Sequence, residues 1–144
     1  MKVTCSIEIN APAKKVYDIF MDIEKLPERV DQITKVEIIY SEKAPHWIET
    51  RTIFGKEATE EMWTTEKTVG KSWTVEAESH GTHYITNHML SESEGVTTMT
   101  LEFSGQAQSL GAKLMTPLAA IMSRSVKKML MADMQALKEA AEAA

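Results

Sequence analysis

Between Thr34 and Gln108 the chain repeats one pattern: runs rich in Thr, Val, Ile and aromatic residues, broken at short intervals by Gly- or Pro-containing turns. The breaks fall at Ala44-Pro45, Gly55-Lys56, Val69-Gly70-Lys71, His80-Gly81 and Glu94-Gly95. Five such turns separate six strands, and connections this short make neighbouring strands antiparallel. The middle of the chain is therefore a meander.

The flanks have different periods. Val3, Cys5, Ile7 and Ile9 alternate with Thr4, Ser6 and Glu8, the pattern of a strand with one buried face. Asn10 can cap a helix that opens with Pro12 and carries Val16, Ile19, Phe20 and Ile23 at helical spacing, which predicts a first helix from Pro12 to Met21. Asp22 can cap a second, but Pro27 interrupts it, leaving one or two irregular turns up to Asp31. After Ser109 a helical stripe runs through Leu114, Leu118, Ile121, Met122, Met129, Leu130, Met134 and Leu137, predicting one long closing helix with a bend at Pro117 after Thr116.

No repeat, low-complexity tract or linker divides the 144 residues, and 43% hydrophobic content supports one substantial core, so residues 1–144 read as a single domain. With 16 Lys and Arg against 21 Asp and Glu, a formal charge of −5 gives no electrostatic reason to expect nucleic acid or an anionic membrane as partner. Neither a signal-like segment nor a run long enough to span a bilayer is present, which argues against integral membrane association. The only cysteine, Cys5, falls on a buried strand position and suits a reducing compartment, so the expected location is cytoplasmic.

Turn lengths fix which strand residues share a face. A Gly55-Lys56 turn pairs Phe54 with Glu57, Thr52 with Thr59, Thr50 with Glu61 and Ile48 with Trp63. The other face then carries Glu49, Arg51 and Glu60, and a charged face is expected to meet solvent, so Ile48, Phe54 and Trp63 are predicted inward. A three-residue turn at Val69-Gly70-Lys71 carries that face to Trp73, Val75 and Ala77. The last two hairpins extend it to Tyr84, Thr86, His88 and Leu90, then to Met99, Leu101 and Phe103. Thr50, Thr52, Thr59, Glu61, Thr65, Tyr84, Thr86 and His88 make this interior more polar than a dry core tolerates, which points to a wet or ligand-filled cavity.

The order of strand, helix pair, meander and long final helix resembles the START-like, Bet v 1-like (SRPBCC) superfamily over essentially the whole chain. Within it the sequence is similar to the polyketide cyclase/dehydrase and coenzyme Q-binding group. The residues that carry the likeness are the run Ile7 to Tyr17 with Asp22 after it, the Gly55 turn, Gly95-Val96-Thr97 and the tail Met134 to Lys138. The resemblance implies an α+β helix-grip fold: a seven-stranded curved antiparallel sheet wrapped around a long C-terminal helix, with two short helices between strands 1 and 2. It also implies a cavity between sheet and helix for lipids, polyketides, quinones or similar hydrophobic molecules. These motifs mark architecture and select no chemistry.

Glu61, as a lone inward carboxylate, would have a raised pKa and can serve as general acid or base; an outward turn at a bulge, or a structural hydrogen bond, is the plain alternative. Tyr84 and Trp63 are placed beside it by the derived registers, either as a pocket wall for a ring-containing ligand or as ordinary aromatic packing. His88 falls near Trp73 and Lys67, about 20 Å from Glu61 at about 3.3 Å per residue, which argues against a Glu61–His88 dyad. His80 and His83 flank a turn without further ligands, so no metal is expected, and no nucleotide-binding or nucleophile motif calls for a cofactor. Five of the ten methionines, Met115, Met122, Met129, Met131 and Met134, lie on the closing helix, either as an adaptable wall or as core filling.

The sequence thus favours a non-catalytic carrier or sensor for a small hydrophobic molecule. Its expected wall is Ile48, Thr50, Glu61, Trp63, Tyr84, Thr86, His88, Leu101, Leu118 and Met122. Two alternatives stay open: a cyclase or lyase using Glu61 or Tyr84 for proton transfer, and a protein-interaction module or homodimer with an incidental cavity.

Overall fold

The computed structural model describes residues 1–53, 55–79, 81–114 and 123–144, with nothing taken from the side chains of Ala112 and Leu114. Phe54, His80, Met115, the Thr116-Pro117 bend, Leu118 and Met122 of the sequence expectations lie outside the described residues. Strand β1 (Lys2–Ile9) is followed by α1 (Ala13–Phe20), one 3₁₀ turn (Ile23–Lys25) and the four-residue α2 (Leu26–Arg29). The meander comprises β2 (Ile33–Ile38), β3 (His46–Ile53), β4 (Lys56–Thr68), β5 (Ser72–Ser79), β6 (Thr82–Ser93) and β7 (Val96–Ala107). Helices α3 (Leu110–Leu114) and α4 (Ser123–Ala143) follow.

The seven strands form one sheet in the order β1-β7-β6-β5-β4-β3-β2, antiparallel throughout. This is the helix-grip arrangement: a curved sheet, the short helices between strands one and two, and α4 along the concave side. Alternation along β1 does what the sequence asks, burying Val3, Cys5 and Ile9 against Phe103, Leu101 and Thr97. From α4, Met134, Leu137 and Ala141 are buried, and full burial of Met134 or Leu137 stabilises by about 1.5–3 kcal/mol each.

Two sequence expectations need correction here. Asn10 does not cap α1: the N-cap is Pro12, and the Ala13 N–H donates instead to Glu92 Oε1 of β6 at 2.6 Å. Asn10 stands too early because the chain turns tightly first, Ala11 N–H bonding the Ile9 carbonyl at 2.9 Å. Ile53 stands opposite Lys56, so Lys56 belongs to β4 and not to the β3–β4 turn expected at Gly55-Lys56. Gly55 supplies φ +78°, so the turn closes one residue earlier and Arg51 faces Ala58, not Glu60.

The larger correction is a β-bulge in β4. The β4–β5 ladder leaves the three-residue loop in the expected register, Lys67 opposite Trp73, but slips between Thr64 and Glu66. Beyond the slip Met62, not Trp63, stands opposite Ala77. One extra residue reverses which side chains point inward. Hence Trp47, Glu49, Arg51 and Ile53 of β3, with Ala58, Glu60 and Met62 of β4, face α4, while Ile48, Thr50, Thr52, Thr59, Glu61 and Trp63 line the convex side.

Candidate functional site

Between the concave face and α4 lies an internal space of two adjoining lobes. The outer lobe, about 210 Å³, is walled by Ile53, Met62, Ala77, Tyr84, Phe103, Val126 and Met129. The inner lobe, about 150 Å³, is walled by Phe20, Trp47, Trp73, His88, Leu101, Met134 and Leu137. Arg51, Met62, Val75, Thr86 and Leu130 line both, so the lobes meet around them. Of the wall expected from sequence, Tyr84, Thr86, His88 and Leu101 border this space. Ile48, Thr50, Glu61 and Trp63 do not, because the bulge turns them outward.

The charged groups that sequence reasoning sent to solvent form the polar centre of the cavity. Arg51 Nε donates to Glu49 Oε2 at 2.9 Å, and Arg51 Nη2 donates to Asp133 Oδ2 at 2.9 Å. The three side chains are 12%, 4% and 17% exposed, in that order. Trp47 Nε1 approaches the other Glu49 oxygen at 3.4 Å. Burial alone would push the guanidinium pKa down, but the two carboxylates outweigh it and hold Arg51 above its ordinary range. Burial raises the Asp133 carboxyl, against the pull of Arg51. Two carboxylates share one guanidinium, and among the described residues Arg51 Nη1 and Asp133 Oδ1 are buried with no hydrogen-bond partner. A buried donor and a buried acceptor left over at one centre can satisfy a polar group brought in by a ligand.

Nothing local in β3 announces this. Both faces of β3 and β4 offer a large apolar residue, Trp47 beside Ile48 and Met62 beside Trp63, so hydrophobicity alone does not choose between them. The available signal lay in α4: Asp133 sits three residues after Leu130 and four before Leu137, on the apolar stripe itself. A carboxylate there requires a buried cation, and Arg51 is the one strand arginine.

Around the centre, His88 stacks on Trp73 with ring centroids 4.4 Å apart and planes 7° apart, its Nδ1 3.3 Å from the Trp73 carbonyl. Burial drives its pKa down to about 4, so the ring is neutral at ordinary pH. Tyr17 and Phe20 of α1 pack on the same tryptophan and close the inner end. In the outer lobe Tyr84 stacks with Phe103 at 5.4 Å, its phenol raised by burial and by the Glu60 carboxylate.

Glu61 lies on the other side of the sheet. Its carboxylate is 54% exposed and 3.3 Å from His46 Nε2, so the expected grouping of Glu61 with Tyr84 is not formed. Trp63 lies between His46 and His83, with Lys43 Nζ 5.3 Å from its ring centre. His83 bridges Glu76 at 2.6 Å and Glu78 at 3.2 Å, and the bond to Glu76 raises the imidazole pKa. These contacts lie on the convex face, with Glu76 reaching the edge of the outer lobe.

A curved sheet gripping a helix over a two-lobed, largely apolar cavity defines a START-like, Bet v 1-like protein. More narrowly, the chain belongs to the polyketide cyclase / dehydrase and lipid transport family, whose sequence profile matches residues 1–142. No curated protein matches it. Solved structures show the same fold at low identity. Ara h 8.0201 superposes with a TM-score of 0.79 at 12% identity, covering 100% of this chain and 99% of that one. The Zhui aromatase/cyclase from Streptomyces sp. R1128 gives 0.75 at 15%, covering 99% and 93%. A START superfamily protein from Mycobacterium smegmatis gives 0.71 at 13%, covering 99% and 94%. Among the described residues, no helix is long and apolar enough to cross a membrane.

Proposed function

We propose that this protein binds and carries a small, largely hydrophobic, uncharged molecule that places a carbonyl and a hydroxyl against the Arg51–Asp133 centre. The observation that carries the reading is the leftover pair at that centre, Arg51 Nη1 as donor and Asp133 Oδ1 as acceptor, between two apolar lobes. A carbonyl oxygen accepts from the first and a hydroxyl donates to the second. An anionic ligand would add negative charge where two carboxylates already share one guanidinium, so a neutral head group suits the site better. Membership of a family described by polyketide chemistry and lipid transport agrees with a ligand of this kind. The lone buried Cys5 is compatible with a reducing, cytoplasmic setting.

Native mass spectrometry of freshly purified protein, followed by organic extraction, tests the reading directly. A stoichiometric neutral adduct, or a raised melting temperature with hydroxyphenyl ketones and none with the matching carboxylates, supports it. Bare protein indifferent to such a panel rejects it and turns attention to a protein partner or second copy.

One observation favours a second reading, an enzyme of the cyclase or lyase kind. The neutral His88 ring and the Asp133 carboxyl border the same inner lobe, so two groups of proton-transfer chemistry face one space. Turnover of a polyketone lost in both Asp133→Asn and His88→Phe, with ligand still bound, would support it over the carrier.

A further inference from the structure

Gly105 is directly opposite Tyr84 in the β6–β7 ladder, on the concave face of the sheet. A Cβ built on Gly105 would stand 3.0 Å and 3.1 Å from two carbons of the Tyr84 ring and 3.5 Å from the Thr82 γ-methyl. The ring thus lies back over the glycine, where any side chain would lift it. Phe103, stacked against the ring at 5.4 Å and 18°, closes one side. With the sheet beneath and these neighbours flanking it, the free direction for a displaced ring is into the outer lobe, which Tyr84 borders. Gly105 has no left-handed φ, so alanine there meets no backbone strain, and its effect is confined to the tyrosine.

We propose that Gly105 is a specificity-determining position: it seats Tyr84 flat against the sheet and so sets the length of apolar tail the outer lobe accepts. This rests on the ligand-carrying reading above. The polar centre at Arg51 fixes the head group at the junction of the lobes, and the tail extends past Ala77 towards Ile53, Val126 and Met129. Gly105 itself is not among the residues that line the lobe. It acts through Tyr84 and is a positioning residue.

The test is a homologous series of hydroxyphenyl alkyl ketones, methyl to decyl, titrated against the wild type, Gly105→Ala, Tyr84→Ala and the double variant. Affinity is read by displacement of anilinonaphthalene sulfonate. In Gly105→Ala the ring must give by a few tenths of an ångström, and the ratio of long-chain to short-chain affinity falls about threefold or more as the lobe narrows. Adding Tyr84→Ala restores the ratio to the wild-type value or above. A general loss of structure would move all chain lengths together and would not be reversed by a second truncation. A ratio in folded Gly105→Ala within about twofold of wild type, or a fall that Tyr84→Ala does not reverse, overturns the proposal while leaving the carrier reading intact. If Gly105→Ala does not fold, Tyr84→Ala alone decides: removing the seated ring lengthens the lobe and must raise the same ratio, and an unchanged ratio overturns the proposal. A wild type that binds no member of the series overturns the carrier reading and this one with it.

Discussion

Arg51 Nη2 and Asp133 Oδ2, 2.9 Å apart, join strand β3 to the closing helix from inside the cavity. The same guanidinium holds Glu49 of its own strand. The ion triad therefore serves as a tie across the grip as well as a polar centre, and its two roles separate under mutation.

Replacing Arg51 by methionine leaves two buried carboxylates without their cation, which is expected to destabilise the fold by about 3–5 kcal/mol. Removing the charges together, as Glu49→Gln, Arg51→Met and Asp133→Leu, replaces the triad by uncharged groups of similar volume. That variant should regain most of the loss, because desolvation of three charges disappears with them. Urea unfolding of the two variants measures both numbers. Arg51→Met within about 1 kcal/mol of wild type would mean that the triad is solvated and ties nothing.

His88 gives a distinct acid signature. Its folded pKa of about 4 is below the ordinary 6.5, so between those values the unfolded chain binds a proton that the folded chain refuses. Stability should therefore fall as pH drops from 6.5 towards 4, by up to about 3 kcal/mol. Asp133, raised by burial in the same lobe, works in the opposite sense, so the comparison with His88→Phe is what isolates the histidine. The phenylalanine keeps a ring stacked on Trp73 and should flatten the acid limb. An unchanged acid limb in that variant would assign the pH dependence to other groups.

The sequence carries the fold well because its signals there are local and mutually consistent. The alternation of β1, the Glu94-Gly95 turn with both φ values positive and the spacing of Trp73, Val75 and Ala77 each depend on a few neighbouring residues. Registers derived from three turns match the ladders of β5, β6 and β7, and with them the inward Tyr84, Thr86, His88 and Leu101. The site was less legible because one bulge, with no Gly or Pro to mark it, decides the orientation of everything N-terminal to it in β4 and β3. Glu49 and Arg51 read as a solvated ion-pair face until Asp133, more than eighty residues later, supplies the reason for burying them.

The bulge itself makes a prediction. Thr64 pairs with Val75 and Glu66 with Thr74, so Thr65 is the unpaired extra residue. Deleting Thr65 joins two residues already opposite consecutive partners. The strand straightens but the inward set is kept, at a cost of about 1–3 kcal/mol for lost curvature. Deleting Thr59, inside the regular ladder, turns Glu60 and Met62 or their β3 partners to the wrong face and should prevent folding. Circular dichroism with Trp63 quenching distinguishes the two deletions. Equal damage from both would remove the assignment of Thr65 as a spacer.

On the convex face, His83 is expected to act opposite to His88. Its pKa lies above 6.5 because Glu76 accepts its hydrogen bond, with Glu78 adding a second contact. The pairing contributes fully below pH 6.5 and is lost as pH rises through the raised folded value. Glu76, with its own pKa lowered by His83 and Thr65 despite some burial, loses its share only as pH falls through that depressed value. The pair therefore stabilises most in the interval between the two. Being partly solvated, it should contribute under about 1 kcal/mol. The stability difference between wild type and His83→Asn, read by urea unfolding, should shrink as pH rises above 6.5 through the raised folded value. A stability difference that stays constant through that rise would mean that the imidazole carries no charge in the pair.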